Sequence, residues 1–230
     1  MMDACLSRGT RALLRLTALA AALALAACAS PASRFYTLGA GSGPAGGDAP
    51  GAARTAGAKP AFLFELAPVD VPSQVARNQL VVEAGGSRVD VLEQERWASL
   101  PGDEIRRALS GDLAARLGTF DVYGAPYPAG VPVYRVTANV RRFESWPGER
   151  AVLDAVWSVR AVSSQSVLTC RTLADVPVGA GYAALVEGHR RAVAQMADQI
   201  AAVLRAQRGP SQPVPPADID CTVGRPTPVK

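Results

Sequence analysis

The chain has 230 residues, with 24 lysines and arginines against 20 aspartates and glutamates, a formal net charge of +4. The basic residues occur at most as doublets such as Arg141-Arg142 and Arg190-Arg191, which excludes the polybasic patch that nucleic-acid binding requires. Four cysteines, one histidine and no C-x-x-C pair give no zinc ribbon and no thioredoxin-type redox motif.

Residues 1–27 read as a bacterial lipoprotein signal peptide. Arg8, Arg11 and Arg15 form a basic start, Leu16–Ala27 is almost wholly apolar, and Leu25-Ala26-Ala27-Cys28 supplies small residues before a cysteine. The apolar run is shorter than the ~20 residues that span a bilayer core. Cys28 is therefore the expected site of lipidation, and its acyl chains would anchor the protein to a membrane. Ala29 follows Cys28, where an aspartate would mark inner-membrane retention, so the outer membrane is the expected location. Loss of the leader removes three arginines and one aspartate and lowers the net charge to +2. Cys5 leaves with it, and Cys170 and Cys221 remain as the two thiols that would pair in an oxidising compartment. The alternative is one buried and one free thiol.

Residues 28–38 form the acylated N-terminus and a short β-prone island, Arg34-Phe35-Tyr36-Thr37-Leu38. Residues 39–60 hold seven glycines, three prolines and no large apolar side chain, a composition that predicts a flexible segment. Gly41-Ser42-Gly43-Pro44-Ala45-Gly46 fits G-x-G-x-x-G formally, but Pro44, Pro50 and Gly51 forbid the helix a dinucleotide site needs.

The folded domain is expected over 61–208. Phe62–Val71 reads as a strand stopped by Pro72. Leu80–Ala84 and Arg88–Leu92 flank Gly85-Gly86-Ser87 as a hairpin. Pro101 with Asp103 and Glu104 suits a first helical turn, and Ile105, Leu109, Leu113 and Leu117 form its apolar stripe up to Gly118. Thr119–Tyr123 is predicted as a strand leaving that helix. Three half-solvated antiparallel strands follow: one with Val136, Ala138 and Val140 inward, one with Leu153, Ala155, Trp157 and Val159 inward, and Ser166–Val176. A long helix over about 182–207 carries Leu185, Val186, Ala192, Val193, Met196, Ile200 and Val203 on one stripe. Residues 209–230, with six prolines, are an extended tail unless Cys221 pins it. The fold class expected is α/β, a single compact sandwich of a mixed or antiparallel sheet with two main helices.

No catalytic constellation is apparent. His189 is the only histidine and no G-x-S-x-G elbow carries a serine nucleophile. His189 reads as a boundary residue of the last helix, Asp103 and Glu104 as partners of the helix dipole, Glu93 and Glu95 as solvated loop acids. No cofactor and no metal are expected. Trp97 reads either as a plug between hairpin and helix or as part of a partner surface. Trp146, at a turn, and the solvated Arg135 and Arg141 complete the candidate partner surface.

In order and spacing these pieces resemble the ABC-type transport auxiliary lipoprotein family, the group that contains paraquat-inducible protein C. The features shared are the lipobox, Phe35-Tyr36-x-Leu38, Val69-Asp70-Val71-Pro72, Arg96-Trp97-Ala98 before a helix with Ile105, Leu109 and Leu113, strands around Val136–Phe143 and through Trp157, and Gly181-Tyr182 opening the last helix. The resemblance covers about residues 28–207. It implies a fold related to the TolB N-terminal domain and a non-enzymatic accessory role beside a transporter whose periplasmic partner carries an MCE (mammalian cell entry) domain. It also implies lipid movement between inner and outer membranes. Two alternatives stay open, a lipid-binding carrier and an activator of a cell-envelope enzyme, as does association with further copies of the chain.

Overall fold

The computed structural model describes residues 32–39, 60–164, 166–207 and 217–224. Alternation between core and solvent builds its largest sheet. β5 (Val133–Trp146), β6 (Arg150–Ala161) and β7 (Val167–Pro177) form an antiparallel meander whose register runs from Tyr134 opposite Ala161 to Arg150 opposite Pro177. Inward residues Val136, Ala138, Val140, Leu153, Ala155, Trp157, Val159 and Leu168 are all buried. Gly148, at φ 75°, makes the β5–β6 turn that the Pro147-Gly148 pair encodes.

β2 (Leu63–Asp70) lies parallel to β5, which antiparallel hairpins alone cannot achieve. The chain between them supplies the crossover: the hairpin of β3 (Gln79–Gly85) and β4 (Arg88–Trp97), then helix α1 (Pro101–Leu117). α1 begins with proline at its first turn and ends at Gly118, whose φ of 63° is the left-handed terminator that glycine permits. Helix α2 (Tyr182–Ala206) follows β7, and both helices cover one face of the large sheet. Ile105, Leu109 and Leu113 of α1 meet Val193, Met196 and Ile200 of α2 in one apolar core with Leu66, Trp157 and Leu168. Trp157 satisfies its buried indole N–H on Thr172 Oγ1 at 2.8 Å.

Three expectations are corrected. The sheet is not single: β1 (Arg34–Tyr36), β4 and β3 form a separate three-stranded mixed sheet beside the five-stranded β2-β5-β6-β7-β8. β4 continues past Leu92 to Trp97, so Glu93 and Glu95 are strand residues, and Glu95 is buried rather than solvated. Thr119–Tyr123 gives only an isolated bridge, Asp121 to Phe64, because side-chain bonds to β2's edge replace the ladder. Part of the proline-rich tail joins the fold as β8 (Cys221–Gly224), antiparallel to β7. Cys170 and Cys221 sit directly opposite across that pair and are joined as a disulfide.

Candidate functional site

The segment that would carry the lipid anchor enters the body at one carboxylate. β1 runs parallel to the end of β4, with Arg34, Phe35 and Tyr36 opposite Glu95, Arg96 and Trp97. Just beyond β1, Leu38 is buried and its N–H donates to Glu104 Oε2 at 2.9 Å. Thr37 Oγ1 donates to the same oxygen at 2.7 Å. The other oxygen accepts from the Ser99 N–H at 3.1 Å and Ser99 Oγ at 2.6 Å, with the Arg107 guanidinium at 2.5 Å. Glu104 is 0% exposed, in the first turn of α1, where the helix dipole favours a negative charge. Burial by itself raises a carboxyl's pKa. The bonds from Ser99, Thr37 and Leu38, with the charge of Arg107, outweigh it and hold Glu104 below its ordinary range. Glu104 thus joins the N-terminal arm, the β4–α1 connection and the helix start, a role beyond the dipole partner that its position in the first turn predicts.

A second buried acid reinforces the arm. Glu95 accepts from Tyr36 Oη at 2.6 Å and pairs with Arg34 at 3.2 Å. Burial, then the Glu95 bond and charge, raise the Tyr36 phenol. On the other side of α1, Arg106 donates to the Leu66 carbonyl at 3.0 Å and to Asp121 at 3.1 Å, fastening the helix to the edge of β2. Asp121 also accepts from the Leu66 and Tyr123 N–H groups.

His189 lies deeper than the boundary position expected. It is fully buried where α2 meets both sheets, its ring stacked on Phe143 at 4.0 Å between centroids and edge-on to Trp97 at 6.3 Å. Nε2 is 2.8 Å from Ser145 Oγ, whereas Nδ1 has no bonding partner. Burial lowers its pKa to about 3, so the imidazole is neutral at physiological pH. A Ser–His pair here resembles a nucleophile and base only in composition. Both groups are buried and the third, orienting group is absent from Nδ1.

The sequence-derived partner surface divides. Trp97 is 3% exposed and packs on Phe143 and His189, so it is the plug between small sheet, large sheet and α2, and the surface reading is corrected. Arg135 and Arg141 are exposed on β5, and Arg135 pairs with Glu65 at 2.8 Å. Trp146 is partly exposed at the far end of the same strand, with the Arg150 guanidinium 4.9 Å over its ring. The three therefore share one strand, but they do not converge with the Glu104 junction. Cys28 and most of residues 39–60 lie outside the described residues.

The described residues thus present an N-terminal arm fastened by buried carboxylates to a two-sheet α/β body. The model of the ABC-type transport auxiliary lipoprotein component matches residues 47–201, and the chain belongs to that family. It is therefore a membrane-anchored envelope lipoprotein associated with an ABC transport system, and membership points to a non-catalytic role. Two crystal structures share the fold. One, of an uncharacterized protein, is 17% identical, with a TM-score of 0.57 over 76% of this chain and 99% of that one. The other, protein XCC0632 from Xanthomonas campestris, is 16% identical, with a TM-score of 0.51 over 64% of this chain and 88% of that one. A comparison with curated proteins finds no match.

Proposed function

We propose that the protein is a non-enzymatic adaptor of an MCE-type ABC system that moves lipid between inner and outer membranes. In this reading Cys28 carries the acyl chains, the outer membrane holds them, and the domain faces the periplasm. The observation that carries the proposal is the family match across the folded body, together with the Glu104 junction that couples the arm to the core. Tethering raises the local concentration of the docking surface, so a modest contact suffices for association. The exposed flank of β5, with Arg135, Arg141 and Trp146, is the face proposed to meet the MCE-domain partner. A shared ancestry with the TolB N-terminal fold belongs to the same proposal.

The lipid-carrier alternative needs an internal cavity between helices and sheet. That space is occupied by Trp157, Leu168, Met196 and Ile200, all buried. An open surface groove of about 450 Å³ between α1 and α2 is lined by small and charged residues, including Gly111, Ala115, Arg190 and Arg191. Cross-linking in intact cells followed by affinity purification is the deciding experiment. Recovery of an MCE-domain protein, reduced several-fold by Arg135→Glu with Arg141→Glu, supports the adaptor. Phospholipid co-purifying with a soluble form and no transporter component would replace it with the carrier.

A further inference from the structure

Phe35-Tyr36-x-Leu38 puts three large apolar side chains within four residues, and the body takes in only two. Tyr36 is partly buried against the core with its hydroxyl on Glu95, and Leu38 is buried within it. Phe35 points to the other face of the edge strand β1 and is 66% exposed. Leu100, at the entrance to α1, is a second exposed apolar side chain that the chain places just beyond the β1–β4 pair.

Six residues lie between Cys28 and Phe35. Fully stretched, the seven Cα steps from Cys28 to Phe35 reach at most about 24 Å. We propose that Phe35 is a membrane-contact residue whose ring inserts at the headgroup level of the leaflet that holds the acyl chains. The inference rests on Cys28 being the acylated residue. The occupant is a bilayer because the arm confines the ring to the vicinity of the lipid surface before any partner arrives, so contact adds little further loss of freedom. An aromatic ring on a strand next to the anchor matches the side-chain type that favours the membrane–water interface.

The charges at this end indicate which lipids the contact would prefer. Arg34, Arg96 and Arg107 are each paired, with Glu95, Glu93 and Glu104. No unmatched positive charge among them selects anionic headgroups, so the contact is apolar and insensitive to salt. It also orients the molecule, with the start of β1 and the N-terminus of α1 toward the membrane.

The test uses the full acylated chain carrying Phe35→Trp, reconstituted into phosphatidylcholine vesicles with and without brominated acyl chains. Trp97 and Trp157 are buried and Trp146 is partly exposed, so the wild-type protein on the same vesicles supplies the background that is subtracted, its Trp146 emission included. The added indole should shift to the blue on vesicles and lose intensity with brominated lipid. Neither effect should change when anionic lipid or salt is added. Flotation with vesicles but no shift or quenching overturns the proposal and leaves Cys28 as the anchor. A shift without quenching assigns the ring to a protein contact instead and equally overturns it. Failure of the protein to float, with no labelled fatty acid on Cys28, removes the anchor and this inference together.

Discussion

Glu104 and His189 are the two buried ionisable groups whose environments are most legible, and they respond to acid for different reasons. Glu104 is held ionised by four hydrogen bonds and Arg107. Its folded-state pKa is depressed, so its contribution is present above the unfolded carboxyl pKa and disappears as pH falls through the lower, folded value. Glu104→Ala strands two N–H groups and two hydroxyls and is expected to cost about 3 kcal/mol, measured by urea denaturation. Glu104→Gln keeps an acceptor and should cost less. His189 is held neutral by burial, its pKa lowered to about 3. The unfolded chain therefore binds a proton that the folded chain refuses, and stability declines as pH drops from 6.5 toward 3. From this group alone, the loss between pH 6.5 and 5 is about 2 kcal/mol. His189→Gln should flatten that limb of the stability–pH curve; an unchanged slope would assign the acid sensitivity to other groups.

At the scale of elements, helix α2 approaches the large sheet through a glycine. A Cβ at Gly188 would lie 2.3 Å from Val178 Cγ1 and 3.0 Å from the Ala151 Cβ. Gly188→Ala gains helix propensity but forces α2 away from Val178, just past the end of β7, and from Ala151 at the start of β6. The net expectation is destabilisation by about 1–2 kcal/mol, with a lowered thermal midpoint. Neither that contact nor the Glu104 junction is visible in periodicity. Period-two and period-3.6 patterns read each element against an averaged core, and they recovered both helices nearly to the residue, with the inward faces of the β5–β6–β7 meander and the turn of the β3–β4 hairpin, but stopped β4 five residues short. They failed where a polar residue is buried by a distant partner. Glu95 looked solvated because its partners Tyr36 and Arg34 lie about sixty residues away in sequence. Trp97 ends β4 instead of lying in a loop because, past a register shift opposite Gln79 and Leu80, the strand continues by pairing with the distant β1. The parallel pairing of β2 with β5 was equally hidden, since a sequence fixes which face of a strand is buried and leaves its neighbours open.

At the scale of the whole molecule, two peripheral strands are secured by different means at the edges of different sheets. β1 is held to α1 by Glu104, and β8 is held to β7 by the disulfide between Cys170 and Cys221. The disulfide closes a loop of 51 residues that includes all of α2, so its loss acts on the unfolded chain as well as on β8. Replacing both cysteines with serine should cost about 2–4 kcal/mol in equilibrium denaturation. The two fastenings share no side chain and no sheet, and sites of that kind add within about 0.5 kcal/mol. Combining the serine pair with Glu104→Ala should therefore give the sum of the separate losses. Hydrogen exchange separates them further: reduction should expose the amides of Arg171, which donates to the Asp220 carbonyl, and of Thr222, which faces Thr169 at a bonded position, while the Leu38 amide stays protected, and Glu104→Ala should do the reverse. A coupling above about 1 kcal/mol, or deprotection of both regions by either change, would mean that arm and tail are one cooperative unit. Independence would suit the proposed adaptor, because a pull on the N-terminal arm then reaches the α1 core without first loosening the sheet face proposed to meet the transporter.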